Sequence, residues 1–133
     1  MPIHYSIDPA HRLVTAKGRG VLTEQEIFNY QQEVWSRPEV FGFNEMMDMT
    51  DVELNNPPPS ELMRNLAAFS AAMDHPDLSS KFAIVAPQLL AFGLGRMYEA
   101  YRAMEAQSTK EVGVFRTLTE ALAFLGIVDE TAN

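Results

Sequence analysis

The segment from Gly93 to Tyr98 contains the residue types best suited to bind a ligand. The Arg96 guanidinium can receive a carboxylate or a phosphate through a forked pair of hydrogen bonds. A glycine inside a helix costs about 1 kcal/mol relative to alanine, so Gly93 and Gly95 indicate close approach of another backbone or of a ligand. We therefore take Gly93, Gly95, Arg96 and Tyr98 as a candidate ligand or partner surface. The structural alternatives are close helix packing at the glycines and a surface ion pair of Arg96 with Glu99.

Patterns typical of known catalytic sites do not occur in this sequence. The two glycines lack the third glycine of a dinucleotide-binding loop, and they lie within a helical pattern. The three histidines, His4, His11 and His75, do not have the i, i+4 spacing of a helical zinc pair. Cysteine is absent, which excludes disulfides and thiolate metal sites, and there is no Gly-x-Ser-x-Gly elbow for serine hydrolysis. The sequence thus predicts no catalytic residue, no metal and no cofactor.

Length and charge restrict the class of protein further. A chain of 133 residues has the common size of one domain, so residues 1–133 are expected to form a single domain. The formal net charge of −8 repels polyanions and therefore disfavours nucleic-acid binding. The N-terminus lacks the features of a signal peptide, and no apolar run approaches the ~20 residues of a membrane span. We expect a cytoplasmic protein without integral membrane association.

Hydrophobic periodicity predicts strands that alternate with amphipathic helices. Capping boxes begin at Thr23 and Thr117, where a threonine hydroxyl and a glutamate carboxylate satisfy backbone N–H groups at the start of a helix. A run of prolines before Ser60 predicts an N-cap there. The predicted strands cover residues 3–7, 12–17, 43–49, 81–86 and 112–115, and the predicted helices cover residues 24–36, 60–73, 88–106 and 118–125.

The resulting order, ββαβαβαβα, predicts an α/β fold with a mostly parallel five-stranded sheet, an N-terminal antiparallel hairpin and four helices. Residues on the inner strands and on the inward faces of the helices are expected to be buried, among them Leu66, Phe69, Ile84, Val85 and Leu122. In the third helix, the apolar spacing predicts a buried stripe of Leu90, Leu94, Met97, Tyr101 and Met104.

Several stretches of the chain resemble the SpoIIAA-like proteins of the STAS superfamily. They are the opening hairpin, the strand ending in Asp48-Met49-Thr50, the run from Ala83 to Pro87 and the closing unit from Phe115 to Leu122. The chain most resembles a branch of small bacterial proteins that are similar both to anti-anti-sigma factors and to the CRAL/TRIO lipid-binding domain. The resemblance covers nearly the whole chain and implies the SpoIIAA-like fold.

The same resemblance implies a possible phosphoacceptor region at Asp48 and Thr50. In anti-anti-sigma factors, a Ser or Thr beside an Asp after the central strand is phosphorylated at a helix N-terminus, and the added charge blocks the partner. No Asp-Ser-Ser-Gly-like sequence follows Thr50 here, and a proline-rich stretch comes before Ser60 instead. We therefore favour the structural alternative, in which Thr50 caps a turn.

The leading functional hypothesis is a non-enzymatic binding or regulatory module that acts through a protein partner or a small ligand, with a homodimer as one possible assembly. One alternative is a carrier of a small amphipathic or lipid-like ligand, and the other is an uncharacterised enzyme. An apolar cavity would favour the carrier, and a polar cleft that holds a carboxylate of raised pKa would favour the enzyme. A flat apolar patch over a solid core would favour the partner-binding module.

Overall fold

The computed structural model describes residues 3–54 and 60–127, which form five strands and four helices. The strands are β1 (Ile3–Asp8), β2 (Leu13–Gly20), β3 (Asn44–Val52), β4 (Ser80–Val85) and β5 (Lys110–Phe115). The helices are α1 (Glu24–Trp35), α2 (Ser60–Ala72), α3 (Leu89–Ala103) and α4 (Leu118–Leu125). The predicted α/β class and the order of elements are confirmed. A short 3-10 helix at Pro38–Val40 is an addition that the sequence patterns did not predict.

The five strands form one sheet in the order β1-β2-β3-β4-β5, so each strand pairs with its neighbour along the chain. β1 and β2 are antiparallel, and the other three pairs are parallel. Right-handed crossovers between sequential parallel strands place their helices on one face of a sheet. The core agrees with this rule, because α1, α2 and α3 share one apolar cluster with the sheet, whereas α4 packs in a second cluster. We call the side of the first cluster the three-helix face.

The helix starts follow the predicted capping chemistry in full at α1 and in part at α4. At α1, Thr23 Oγ1 accepts from the Glu26 N–H at 3.2 Å, and Glu26 Oε1 accepts from the Thr23 N–H at 2.9 Å. At α4, Thr117 Oγ1 accepts from the Glu120 N–H. The Glu120 carboxylate accepts from the Thr117 hydroxyl and not from the Thr117 backbone N–H. The prolines predicted to precede α2 lie outside the described residues.

Strand β3 continues three residues beyond its predicted end at Met49. Asp51 and Val52 pair with Arg19 and Gly20 of β2, which brings this polar stretch into the sheet. The prediction ended the strand too early because Thr50 and Asp51 interrupt the apolar run. Between Lys17 and Arg19 the register shifts, so that β3 has one residue more than β2, as in a β-bulge.

The buried stripe of α3 is displaced by one residue from the predicted one. Leu90 and Met104, two members of the predicted stripe, are 39% and 79% exposed. The buried residues are instead Ala91, Gly95, Tyr98 and Arg102, which share a helix face. The prediction was wrong because it weighed apolar side chains alone. The actual inward face has two small residues that permit close packing and an arginine with a buried partner.

The predicted core is correct at its centre and less accurate at its edge. Leu66, Ile84 and Val85 are buried, with exposures of 8%, 8% and 2%. Phe69 and Leu122 are only partly buried. Phe69 instead packs edge-on against Phe28 of α1, with ring centroids 4.9 Å apart, so it closes the gap between two helices at the rim of the three-helix face.

The two glycines of α3 occupy opposite environments. A Cβ atom on Gly95 would lie 2.9 Å from Val114 Cγ1 of β5, closer than real contacts of this kind. A Cβ atom on Gly93 would meet nothing within 4 Å. Gly95 therefore faces inward, where α3 packs closely against β5, and Gly93 faces outward.

We predict opposite effects on stability when each of these glycines is replaced by alanine. Gly93→Ala should raise the free energy of unfolding by up to about 1 kcal/mol, because alanine favours the helix and has open space. Gly95→Ala should lower it by about 1–3 kcal/mol, because a β-branched side chain on a strand cannot move away cheaply. Urea denaturation of both variants measures the two values. Equal effects at the two positions would contradict this assignment of faces.

Candidate functional site

An apolar pocket lies on the three-helix face, between the helices and the middle of the sheet. It has a volume of about 130 Å³ and is partly open to solvent, and we call it the helix pocket. Every helix of that face and both central strands contribute to its wall, together with the segments that flank them. The lining residues are Leu22, Ile27, Gln31, Met47, Met49, Leu54, Met63, Leu66, Phe82, Ile84, Ala91, Leu94, Gly95 and Tyr98.

The helix pocket is displaced toward the carboxyl ends of the parallel strands. Met47 and Ile84 are neighbours across β3 and β4, and Ile84 lies in the second half of its strand. Met49 lies further along β3, and Leu54 follows that strand directly. The pocket therefore lies between the sheet and its helices, and it extends toward the carboxyl ends of β3 and β4.

Two polar side chains, Gln31 and Tyr98, interrupt the apolar wall. Each is 4% exposed, and each is hydrogen-bonded to another buried side chain. The Ser70 hydroxyl donates to Gln31 Oε1 at 2.8 Å, and Arg102 Nη1 donates to the Tyr98 oxygen at 2.6 Å. Burial raises the pKa of Tyr98, although the Arg102 charge acts in the opposite direction, so this phenol stays neutral at physiological pH. The pocket therefore has a neutral polar edge.

Behind this edge, a buried ion pair joins α3 to the segment after α2. Arg102 Nη2 donates to both carboxylate oxygens of Asp74, and each side chain is 1% exposed. Asp74 also accepts from the Thr109 N–H at 2.9 Å, and Arg102 Nε donates to Ser108 at 3.0 Å. The pair thus fixes the position of α3 against the residues that lead into β5.

A second buried charge pair lies near the amino ends of the strands. Glu45 is 1% exposed, and its Oε1 accepts from the Tyr30 hydroxyl at 2.7 Å. Its Oε2 lies 3.6 Å from Lys110 Nζ, which in turn lies 3.8 Å from the centre of the Trp35 ring. Burial raises the pKa of Glu45 against the charge of Lys110, and burial also lowers the pKa of Lys110. We call these four residues the Glu45 cluster.

The geometry of the Glu45 cluster argues against acid–base catalysis. The cavity beside Glu45 has a volume of about 30 Å³. The hydrogen-bond and charge partners of the Glu45 carboxylate are the side chains of Tyr30 and Lys110, and the carboxylate is 1% exposed. The raised pKa of Glu45 follows from burial in the core, and we assign the cluster a structural role.

The four residues predicted as a ligand or partner surface do not lie together. Gly93 and Arg96 are exposed on the outer side of α3, whereas Gly95 and Tyr98 are buried and line the helix pocket. Arg96 Nη1 lies 3.5 Å from Glu99, so the surface ion pair weighed as its structural alternative is present. Gly95 and Tyr98 thus contribute to a pocket, and not to the surface that the sequence suggested.

Asp48 and Thr50 form a local hydrogen-bonded unit within β3. Asp48 Oδ1 accepts from the Thr50 N–H at 2.9 Å and from the Thr50 hydroxyl at 2.5 Å. Both lie in the strand, where the β-bulge shifts the register. The structural alternative, in which Thr50 caps a turn, is wrong, because Thr50 lies within β3 and its hydrogen bonds go to Asp48 of the same strand. The phosphoacceptor role implied by the resemblance stays a prediction.

No motif in the sequence pointed to Gln31, Glu45, Asp74 or Lys110, although two of these residues follow a detectable pattern. Glu45 lies two residues from both Phe43 and Met47, so strand alternation places all three on one face. Gln31 lies four residues after Ile27 and three before Val34, which places it on the buried stripe of α1. Asp74 and Lys110 follow no such pattern, because they lie at the ends of elements.

Comparison with known proteins adds no family assignment. A scan against protein-family models and a search of curated proteins each found no match. The SpoIIAA-like affiliation therefore stays a prediction from the sequence. Across residues 3–54 and 60–127, each helix is too short or too polar to cross a bilayer.

We predict that removing one member of the buried ion pair costs far more than removing one member of a surface pair. Asp74→Asn should lower the free energy of unfolding by about 3–5 kcal/mol, because it leaves the Arg102 charge buried without a counter-charge. The control is Glu99→Gln, which removes the surface partner of Arg96 and should cost under about 1 kcal/mol. Adding Arg102→Met to Asp74→Asn should recover part of the loss. Urea denaturation that gives similar losses for Asp74→Asn and Glu99→Gln would refute the assigned role.

The raised pKa of Glu45 predicts a specific dependence of stability on pH. A carboxyl group whose pKa is raised in the folded state makes its full contribution to stability at pH values below its ordinary pKa of 4.5. It loses that contribution as the pH rises through the folded-state pKa. The free energy of unfolding of the wild type, minus that of Glu45→Gln, should therefore fall as pH rises above 4.5. Urea denaturation across the pH range measures this difference.

Glu26→Gln is the control for this measurement. Its hydrogen bonds to Thr23 lower the pKa of Glu26, so its contribution is present above the ordinary value of 4.5 and is lost as pH falls through the folded value. The two glutamates should therefore give differences with opposite slopes in different pH ranges. A wild-type minus Glu45→Gln difference that stays constant above pH 4.5 would show that burial does not shift this group.

Proposed function

We propose that this protein is a non-enzymatic binding module that takes up a small, mainly apolar molecule in the helix pocket. The observation that carries this proposal is the pocket itself, which has about 130 Å³ of space. Of its fourteen lining residues in the described part of the chain, twelve are apolar, and Gln31 and Tyr98 are polar. Apolar cavities of similar size, near 150 Å³, stay dry and bind benzene. A compact ring or a short branched chain therefore has the matching size.

The wall of the helix pocket is adapted to apolar contacts. Met47, Met49 and Met63 contribute flexible and polarisable side chains, which adjust to ligands of irregular shape. Ala91 contributes only a methyl group from α3, which leaves space that a larger side chain would fill. Among the described residues, the wall contains no carboxylate, histidine, lysine or arginine. These features support binding and offer no group for acid–base chemistry.

Occupancy of this pocket would act on the whole three-helix face. The ligand would contact α1, α2 and α3 together, because all three contribute to the wall. A ligand that binds only the folded state raises stability by an amount that grows with the logarithm of its concentration. This linkage offers a route from ligand binding to regulation. The homodimer, a protein partner and the cytoplasmic location stay predictions.

Methionine methyl NMR tests the proposal, with benzene as the probe. Benzene should shift the methyl signals of Met47, Met49 and Met63, which line the pocket. Met46 is the internal control, because it follows Glu45 on the opposite face of the sheet and packs in the second cluster. The Met46 methyl signal should not move. Native mass spectrometry of protein from its own host would report a co-purified ligand and the assembly state in parallel.

A blocking variant provides the second part of this test. Ala91→Leu should fill the pocket and weaken benzene binding at least about tenfold, because the added side chain takes the ligand's volume. Ala100→Leu is the matched control, since it adds the same bulk to an exposed position of α3. The proposal is wrong if benzene leaves the three pocket methionines unshifted in the wild type, or if both variants bind it equally.

A further inference from the structure

The Gln31 side chain presents a hydrogen-bond donor to the helix pocket. It lies within α1, is 4% exposed and lines the pocket. Its Oε1 atom accepts a hydrogen bond from the Ser70 hydroxyl at 2.8 Å. The Nε2 amide has no hydrogen bond to any residue in the described ranges 3–54 and 60–127. A primary amide carries two N–H donors, so among the described residues Gln31 contributes a donor without a protein partner to a wall that is otherwise apolar except for Tyr98.

The contact with Ser70 of α2 sets the direction of this amide. The Ser70 hydroxyl lies 2.8 Å from Gln31 Oε1 and also 2.8 Å from the Leu66 carbonyl oxygen, so its one proton is shared between two acceptors. Gln31 Oε1 is the amide atom that faces Ser70, and the N–H groups of Gln31 are therefore directed away from Ser70.

The charges around the pocket restrict the acceptor that this amide can take. Arg102 is already neutralised by Asp74 and lies behind Tyr98. Among the described residues, no lysine, arginine or histidine reaches the pocket wall. An ionised carboxylate or phosphate would therefore be buried without a counter-charge, which is strongly unfavourable. A neutral acceptor such as a carbonyl oxygen needs no counter-charge.

We infer that the ligand of the helix pocket is a small apolar molecule with one neutral carbonyl oxygen, which accepts a hydrogen bond from Gln31 Nε2. Small ketones, aldehydes and esters belong to this class. The inference rests on the proposed function, because it assigns a ligand class to the same pocket. Gln31 is then the residue that determines specificity, and the apolar wall supplies most of the affinity.

The test compares cyclohexanone with methylenecyclohexane, which has the same ring and replaces the carbonyl oxygen by a CH2 group. Both dissociation constants are measured by methionine methyl NMR in the wild type, in Gln31→Met and in Gln32→Met. Gln31→Met removes the donor at similar side-chain length. Gln32→Met is the matched control, because Gln32 is the next residue of α1 and is exposed. Comparing ratios between variants removes the difference in hydration between the two probes.

The preference for cyclohexanone over methylenecyclohexane should be about tenfold larger in the wild type and in Gln32→Met than in Gln31→Met. A second measurement needs no variant: cyclohexanone should shift the side-chain amide protons of Gln31 in the wild type, and methylenecyclohexane should leave them in place. Binding of both probes with an unchanged preference in Gln31→Met, or with no amide shift, would overturn the ligand class and leave the pocket function intact. Failure of benzene and both probes to bind the wild type would overturn the proposed function itself.

Discussion

The handedness of the connections between parallel strands is the constraint on which the rest of this structure depends. Because the strands lie in chain order, right-handed crossovers bring α1, α2 and α3 to the same face and leave α4 alone on the other. One face of the sheet therefore carries a thick layer in which helices contact helices as well as strands. Both the helix pocket and the buried charges lie in this layer, between the helices and the sheet.

Side-chain volume varies along α3 and divides that interior into two parts. The buried stripe begins with Ala91 and Gly95 and ends with Tyr98 and Arg102. Near the carboxyl ends of the strands, the small residues leave room for the pocket. Toward the other end, the large polar residues fill the layer and meet the charges of Asp74 and the Glu45 cluster. Along α3, the buried residues therefore change from small and apolar to large and polar.

Local patterns predicted the elements of this fold, whereas contacts between elements determined the site. The capping box at Thr23 and the alternation of strands with helices depend on neighbours in the sequence, and both were predicted correctly. The phase of α3 was not, because the burial of Arg102 depends on a carboxylate 28 residues away. The end of β3 was missed for the same reason, since Asp51 joins the sheet only through its pairing with β2. A pocket is defined by what several elements leave unfilled, and no single stretch of sequence encodes it.

The buried charges are better explained by the orientation they impose than by the stability they add. An apolar replacement of similar volume is often as stable as a buried ion pair, so stability alone does not account for Asp74 and Arg102. Their pairing does hold the guanidinium in one place, and the guanidinium holds the Tyr98 hydroxyl at the edge of the pocket. A polar group that is already oriented loses little freedom when a ligand arrives, which reduces the entropic cost of binding. The buried ion pair thus fixes the orientation of a polar group at the edge of the apolar pocket.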